Sequence, residues 1–290
     1  MKVFPEWAKL LGLGDVDIKG IDFPLHAPAE HYREAVEFIA NDPLSLGALV
    51  TTHKIDLYDS CKDKFDYVDP YARQLNECSS ISKKDGRLCA HAKDPISSGL
   101  ALENFVPANF WKTHGGEVLL MGAGGSSLAI TLYLTQDRFM EQGNVPQKIT
   151  IANRSLPRLL SAEKLLKNVA DRTALAYVLG PLPADNDKVM AALPPFSLVV
   201  NATGLGKDAP GSPITNQGNF PESSLAWELN YRGNLVFLDQ ANAQQSSRNL
   251  TVEDGWVYFI HGWTQVIAEV FHIRIDDAML TLLSEAAKRA

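Results

Sequence analysis

Glu117–Ser127 reads EVLLMGAGGSS. Val118–Met121 is an uninterrupted apolar run, Gly122-Ala123-Gly124-Gly125 a glycine-rich turn, and Ser126–Leu134 a helical pattern. In that order the pieces spell strand, tight turn and helix. Gly122 permits the turn, and Gly124 lets backbone approach a pyrophosphate. The free N–H groups at the helix start then favour negative charge. Ser127 takes the third position of the fingerprint, where a small residue keeps helix and strand close. A glycine turn alone is weak evidence, but its setting between a strand and a helix predicts a dinucleotide site.

The end of the next strand refines this expectation. Sites that accept a free ribose 2′-hydroxyl place Asp or Glu there. This chain instead has Asn153-Arg154-Ser155, with Arg158 one turn further on. An Arg fork with a hydroxyl suits a 2′-phosphate, which a carboxylate would repel. The expected cofactor is therefore NADP, on Gly122, Ala123, Gly124, Gly125, Ser126, Ser127, Asn153, Arg154, Ser155 and Arg158.

Beyond this unit, strand-like runs recur at Lys148–Ala152, Leu175–Leu179, Ser197–Ala202, Ala226–Leu229 and Trp256–Phe259, with helical patterns around them. Such alternation predicts an α/β fold of Rossmann type, with a doubly wound and mainly parallel sheet. Residues 1–112 have a different texture. A helix is expected over Phe4–Leu13, a strand over Ile18–Pro24 and a helix over Pro28–Asn41. A short strand follows at Gly47–Thr52, then a helix at Pro70–Gln74. Ser80–Leu88 carries a hairpin turn at Asp85-Gly86, and Asp94-Pro95 starts a helix to about Asn104. We expect a smaller α/β domain over 1–112, a dinucleotide domain over 113–255, and C-terminal helices (256–290) returning to the first.

With 27 Lys+Arg against 34 Asp+Glu, the net charge of −7 argues against a nucleic-acid or anionic-membrane binder. No apolar run reaches membrane-spanning length, and the N-terminus lacks the core of a secretory leader. The three cysteines, Cys61, Cys78 and Cys89, lack paired metal-ligand spacing. They read as reduced thiols of a cytoplasmic protein, and no metal site is expected.

The chain resembles the shikimate/quinate dehydrogenase family over almost its whole length. The matching strings are VTTHK (50–54), DGRL (85–88), AKDPISSG (92–99), GAGGSS (122–127), ANRSLPR (152–158), NATGLG (201–206), ELNYRG (228–233) and HGWTQVIAE (261–269). The resemblance implies a two-domain NADP-dependent oxidoreductase of aromatic amino acid biosynthesis, with its substrate in a cleft between the domains. It places the catalytic roles on Lys54 and Asp94, and a substrate contact on Tyr231. Asn201, Thr203, Gly204 and Gly262 fall on its nicotinamide side. The chemistry is sensible: oxidising a secondary alcohol needs the hydroxyl proton removed as hydride leaves, and a Lys near a carboxylate can take it. Alternatively, Lys54 is a solvated loop lysine, Asp94 a plain helix cap, and Tyr231 an aromatic packing beside Trp227.

Four departures lie on the substrate side. The family's N-terminal Ser-x-Ser would fall before Met1, so it is absent here or the true start lies upstream. Thr51 and Lys54 are three residues apart rather than four, leaving the threonine role with Thr51 or Thr52. A substrate-binding Asn becomes Ser79, and the Asn before the catalytic Asp gives way to Ala92 and Lys93. The Gln of the C-terminal helix becomes Glu269, which can only accept when ionised. Changes of this kind alter discrimination strongly. The expected function is alcohol–ketone interconversion on a shikimate- or quinate-like cyclic hydroxy acid, by a monomer or homodimer. The alternatives are an NADP-binding sensor or pseudoenzyme without turnover, and a reductase that uses Glu269 to hold an amine.

Overall fold

The computed structural model describes residues 3–24, 26–169 and 173–289. The chain divides into two compact units, Met1–Lys93 with Ile260–Ala290, and Asp94–Phe259.

The first unit begins with α1 (Val3–Leu10), α2 (Ala29–Asn41), β1 (Gly47–Leu49), α3 (Lys54–Cys61), β2 (Tyr67–Val68), α4 (Pro70–Leu75), β3 (Ser80–Lys84) and β4 (Arg87–His91). Its four strands lie in the order β1-β3-β4-β2, with β2 parallel to β4 and the other pairs antiparallel. The β3–β4 hairpin turns on Asp85 (φ 51°) and Gly86 (φ 74°). Two successive positive φ values make the two-residue turn that matches the twist of the strands. Asp69 caps α4, accepting from the Ala72 N–H at 2.6 Å, with Pro70 at the helix start. Tyr32, Val36 and Ile39 of α2 pack with Leu57 and Tyr58 of α3 against Ile81, Leu88 and Ala90 of the sheet. Ile18–Pro24, expected as a strand, forms none. Ile21 is exposed and no neighbouring strand pairs with the segment, so only Phe23 docks, edge-on against Tyr32.

The second unit continues with α5 (Asp94–Phe105), α6 (Phe110–His114), β5 (Val118–Met121), α7 (Gly125–Leu134), α8 (Asp137–Gln142), β6 (Lys148–Asn153), α9 (Leu156–Leu165), β7 (Ala174–Leu179), α10 (Pro183–Ala191), β8 (Leu198–Asn201), β9 (Leu225–Glu228), α11 (Val236–Arg248) and β10 (Thr251–Glu253). Its sheet has the order β10-β9-β8-β5-β6-β7, and every pairing is parallel. This is the doubly wound arrangement, with β5 at the point where the order reverses. All four residues of β5, β8 and β9 are buried, as expected of central parallel strands covered on both faces. Leu119, Met121, Val199, Ala226, Phe220 and Phe237 form one core there.

The chain ends with α12 (Trp256–Phe271) and α13 (Asp277–Arg289). The first boundary falls earlier than 112 because α5 and α6 pack into the second unit. Gly99 of α5 lies where a Cβ would stand 2.1 Å from the Tyr133 ring of α7, and Glu103 of α5 accepts from the Tyr133 hydroxyl. The His114 ring of α6 stacks on Phe196 at 4.1 Å. Trp256–Phe259, expected as a strand, is instead the first turn of α12. Asp254 accepts from the Trp256 N–H at 2.8 Å and starts the helix, while Thr251–Glu253 supplies the edge strand beside β9.

Candidate functional site

In the second unit, β5 delivers the chain to Gly122, whose N–H donates to the Ala152 carbonyl at 2.7 Å. Gly122 has φ +117°, and a Cβ on it would stand 2.6 Å from the Ala202 carbonyl oxygen. Only glycine fits both the backbone angle and the gap. The Ser127 hydroxyl donates back to the Gly122 carbonyl at 2.6 Å and is fully buried, so Ser127 braces the turn from inside. Gly124 is exposed, precedes α7, and has nothing within 4 Å of where a Cβ would sit. Ala123 is buried, while Gly125 and Ser126 are half-buried at the helix start. The Tyr258 hydroxyl donates to Ser126 Oγ at 3.4 Å. An open, side-chain-free approach to a ten-residue helix's first N–H groups is the form an anionic pyrophosphate needs.

At the end of β6, Asn153 and Ser155 are half-buried, and Arg154 and Arg158 are exposed. Ser155 sits at the N-cap of α9 without a side-chain cap bond. Among the described residues neither Arg154 nor Arg158 forms an ion pair, so both guanidinium groups are available to a phosphate.

The 201–206 loop lies against the glycine turn through Ala202, and a buried polar network holds it there. Asn201 is fully buried, and its Oδ1 accepts from the Thr203 N–H at 3.0 Å and hydroxyl at 2.6 Å. Its Nδ2 donates to Glu228 Oε2 at 2.7 Å. Glu228 Oε1 accepts from the Asn230 N–H at 2.8 Å and Nδ2 at 2.7 Å. Burial pushes the Glu228 carboxyl up to about 7. Those three hydrogen bonds pull the other way, and nearby Asp254 adds to the rise. Asn201 and Thr203 thus shape the loop with side chains already engaged. The Gly204 carbonyl is used by its own turn, accepting from Asp208 N–H at 2.7 Å, and a Cβ on Gly204 would meet Asp208 at 3.0 Å. Gly262, in α12 of the first unit, has open space on its Cβ side. Tyr231 stacks on Phe259 at 4.3 Å rather than beside Trp227, which packs against Phe105 and Tyr258.

In the first unit, Thr51 and Thr52 are exposed and Lys54 opens α3 half-buried. The Lys54 carbonyl accepts from the Cys78 N–H at 3.0 Å, which ties α3 to the residue before Ser79. Asp94 is half-buried at the start of α5 in the second unit. Ser79, only 2% exposed, accepts from the Lys93 N–H at 2.7 Å and donates to the His91 carbonyl at 3.4 Å.

Glu269, read from the sequence as an acceptor only, already has a donor within the chain. Lys93 Nζ donates to its Oε2, and His91 Nε2 lies 3.3 Å from its Oε1. Asp69 stands 3.5 Å from His91 Nδ1, and Ser82 Oγ lies 3.1 Å from His91 Nε2. Burial pushes Glu269 up, but the hydrogen bond and charge of Lys93, with His91 and His272, bring it below the usual carboxylate value. A charged residue closing the buried strand run LCAHAK is the visible signal for Lys93. Nothing local points to its partner, 176 residues away. Among the described residues no cluster of His, Cys, Asp and Glu is arranged to hold a metal, and no helix is long and apolar enough to cross a membrane.

No family model matches the chain. It is 27% identical over 167 residues to the shikimate dehydrogenase (NADP(+)) of Streptococcus thermophilus, covering 58% of this chain and 53% of that protein. It is 29% identical over 192 residues to the enzyme of that name from Symbiobacterium thermophilum, covering 65% and 60%. The chain thus spans a little over half the length of these curated relatives. The shikimate 5-dehydrogenase of Thermus thermophilus, solved with NADP(H) and shikimate, superposes with a TM-score of 0.70 at 22% identity, over 99% of this chain and 92% of that one. The quinate dehydrogenase of Corynebacterium glutamicum, solved with NAD, gives 0.71 at 18% identity, over 100% and 93%. The structures show a shared fold, and the sequence matches carry the relationship further. The chain is thus similar in sequence to shikimate dehydrogenases over part of its length, and it shares its fold with shikimate and quinate dehydrogenases.

Proposed function

We propose that the chain is an NADP-dependent oxidoreductase that interconverts a secondary alcohol and a ketone on a shikimate- or quinate-like cyclic hydroxy acid. The observation that carries this reading is the open glycine turn at Gly124, at the head of α7, in a chain whose relatives are named for that activity. NADP rather than NAD is supported by Arg154 and Arg158 at the end of β6, although the relative from Corynebacterium glutamicum was solved with NAD. The bound dinucleotide would accept the hydride from the carbinol carbon. The chain's own groups do the rest: Lys54 holds the reacting hydroxyl and takes its proton, and Asp94 accepts a hydrogen bond from a substrate hydroxyl. Three unpaired buried thiols fit a reducing, cytoplasmic setting.

The test is appearance of NADPH absorbance with shikimate, quinate and related cyclic polyols. Lys54→Ala is expected to lower kcat by about 10²–10⁴-fold while NADPH binding persists, the range for loss of one general acid–base group. No turnover of any panel member, or full activity of Lys54→Ala, refutes the proposal.

A further inference from the structure

The crevice of a doubly wound sheet opens where the strand order reverses, outside the carboxyl ends of the strands that flank the reversal. Here those strands are β5 and β8, and their exits are the glycine turn at Gly122 and the 201–206 loop. The loop is pressed against the turn: the Ala202 carbonyl oxygen stands 2.6 Å from where a Cβ on Gly122 would lie. What holds the loop is a buried carboxylate. Glu228, at the end of β9, and Asn201 are fully buried, and Asn230 is buried beside them. Glu228 Oε2 accepts from Asn201 Nδ2, and Oε1 accepts twice from Asn230. The two asparagines pass the constraint on. Asn201 Oδ1 accepts from both the N–H and the hydroxyl of Thr203. Asn230 Nδ2 also donates to the carbonyls of Thr203 and Leu205, at 3.2 and 3.1 Å.

All three groups bonded to Glu228 are donors, so the arrangement suits a carboxylate and not a carboxylic acid. A proton on either oxygen finds no acceptor among them. An Asn201 amide that turned to receive it would withdraw Oδ1 from both Thr203 bonds and release the loop. Among the described residues, the titratable group whose charge bears on Glu228 is Asp254, between β10 and α12. Burial favours the proton, Asp254 adds to that, and the carboxyl sits at about 7, so both forms are populated at neutral pH. We infer that Glu228 is a positioning residue for the dinucleotide: ionised, it holds the 201–206 loop against the turn, and protonated, it lets the loop go. Bound dinucleotide and the Glu228 proton therefore oppose one another, and linkage makes the effect reciprocal. The inference rests on the dinucleotide reading of the turn proposed above.

The test is titration calorimetry of the full chain with NADP from pH 6 to 8, wild type beside Glu228→Gln, whose amide cannot ionise. Couplings of this kind run from about 5- to 150-fold. For a tenfold coupling, the variant is expected to bind about tenfold more weakly than wild type at pH 8 and only about twofold more weakly at pH 6. The ratio of the two proteins at each pH cancels the titration of the nucleotide's own 2′-phosphate. At pH 7, buffers of different ionisation heat should show the wild type releasing about 0.4 proton more than the variant on binding. A side chain that only stabilised the fold would leave the ratio constant. A constant ratio, or equal proton release, overturns the role of Glu228 and leaves the dinucleotide site standing. Infrared difference spectra of the wild type alone, NADP-bound minus free at pH 7, serve if the variant does not fold. Loss of a protonated-carboxyl band is expected there, and its absence overturns the inference. No NADP binding by the wild type at any pH overturns the dinucleotide reading, and the inference with it.

Discussion

Replacing Glu228 by Gln should remove a pH dependence that the wild-type fold carries. Glu228 is fully buried, and its carboxyl is held at about 7 against an ordinary 4.5. Below pH 4.5 it is protonated in both folded and unfolded chains, and its contribution to stability is fully present. As pH rises, the unfolded chain ionises first, while the folded chain must hold its proton or bury a charge. Stability therefore falls between about 4.5 and 7 and levels off above the folded value. At ~1.4 kcal/mol per pH unit, the loss across that interval is on the order of 3 kcal/mol. Glutamine cannot titrate, but its NH2 must face one of the three N–H donors that now bond the carboxylate. That mismatch costs roughly 1–3 kcal/mol at all pH values. Urea unfolding followed by tryptophan fluorescence, from pH 4.5 to 8, gives the difference between the two proteins and cancels the other titrations. The variant should be the less stable at pH 4.5 and should draw level by pH 8. Parallel curves over the whole range would refute the assignment of this titration to Glu228.

Three other substitutions test the proposed dinucleotide site. Gly122→Ala should destabilise the second unit by roughly 3 kcal/mol in calorimetry, because it combines a strained backbone angle with a 2.6 Å clash on the Ala202 carbonyl. Arg154→Ala and Arg158→Ala should each weaken NADP binding by about 10-fold or more and leave NAD binding nearly unchanged in titration calorimetry, as a lost charge-assisted hydrogen bond requires. Equal losses for the two nucleotides would move the arginines away from the 2′-phosphate.

The parallel sheet is legible in the sequence because its central strands are apolar on both faces, so VLLM (118–121) and LVV (198–200) need no partner to declare themselves. The glycine turn is legible because both its conformation and its clearance demand a missing side chain. At Trp256–Phe259 the string WVYF suits a strand and a helix equally well locally; the Asp254 bond to Trp256 N–H decides for helix. Ile18–Pro24 alternates like a strand, yet among the described residues it pairs with no strand. At and beside the positions that the resemblance assigns to substrate, the residue changes are visible at Ser79, Lys93 and Glu269, but their meaning is not. A carboxylate's chemistry depends on its neighbour, and the neighbour of Glu269 is set by tertiary packing.

The three cysteines all lie in the first unit, and all are buried. Burial pushes the Cys78 thiol up to about 12 and Cys61 to about 11, so neither carries appreciable thiolate at neutral pH. An alkylating reagent can therefore reach Cys61 and Cys78, both fully buried, only when that unit opens, and the second unit offers it no thiol at all. The chain carries a built-in clock: the rate at which it takes up label times the opening of one unit, unmixed with the breathing of the other.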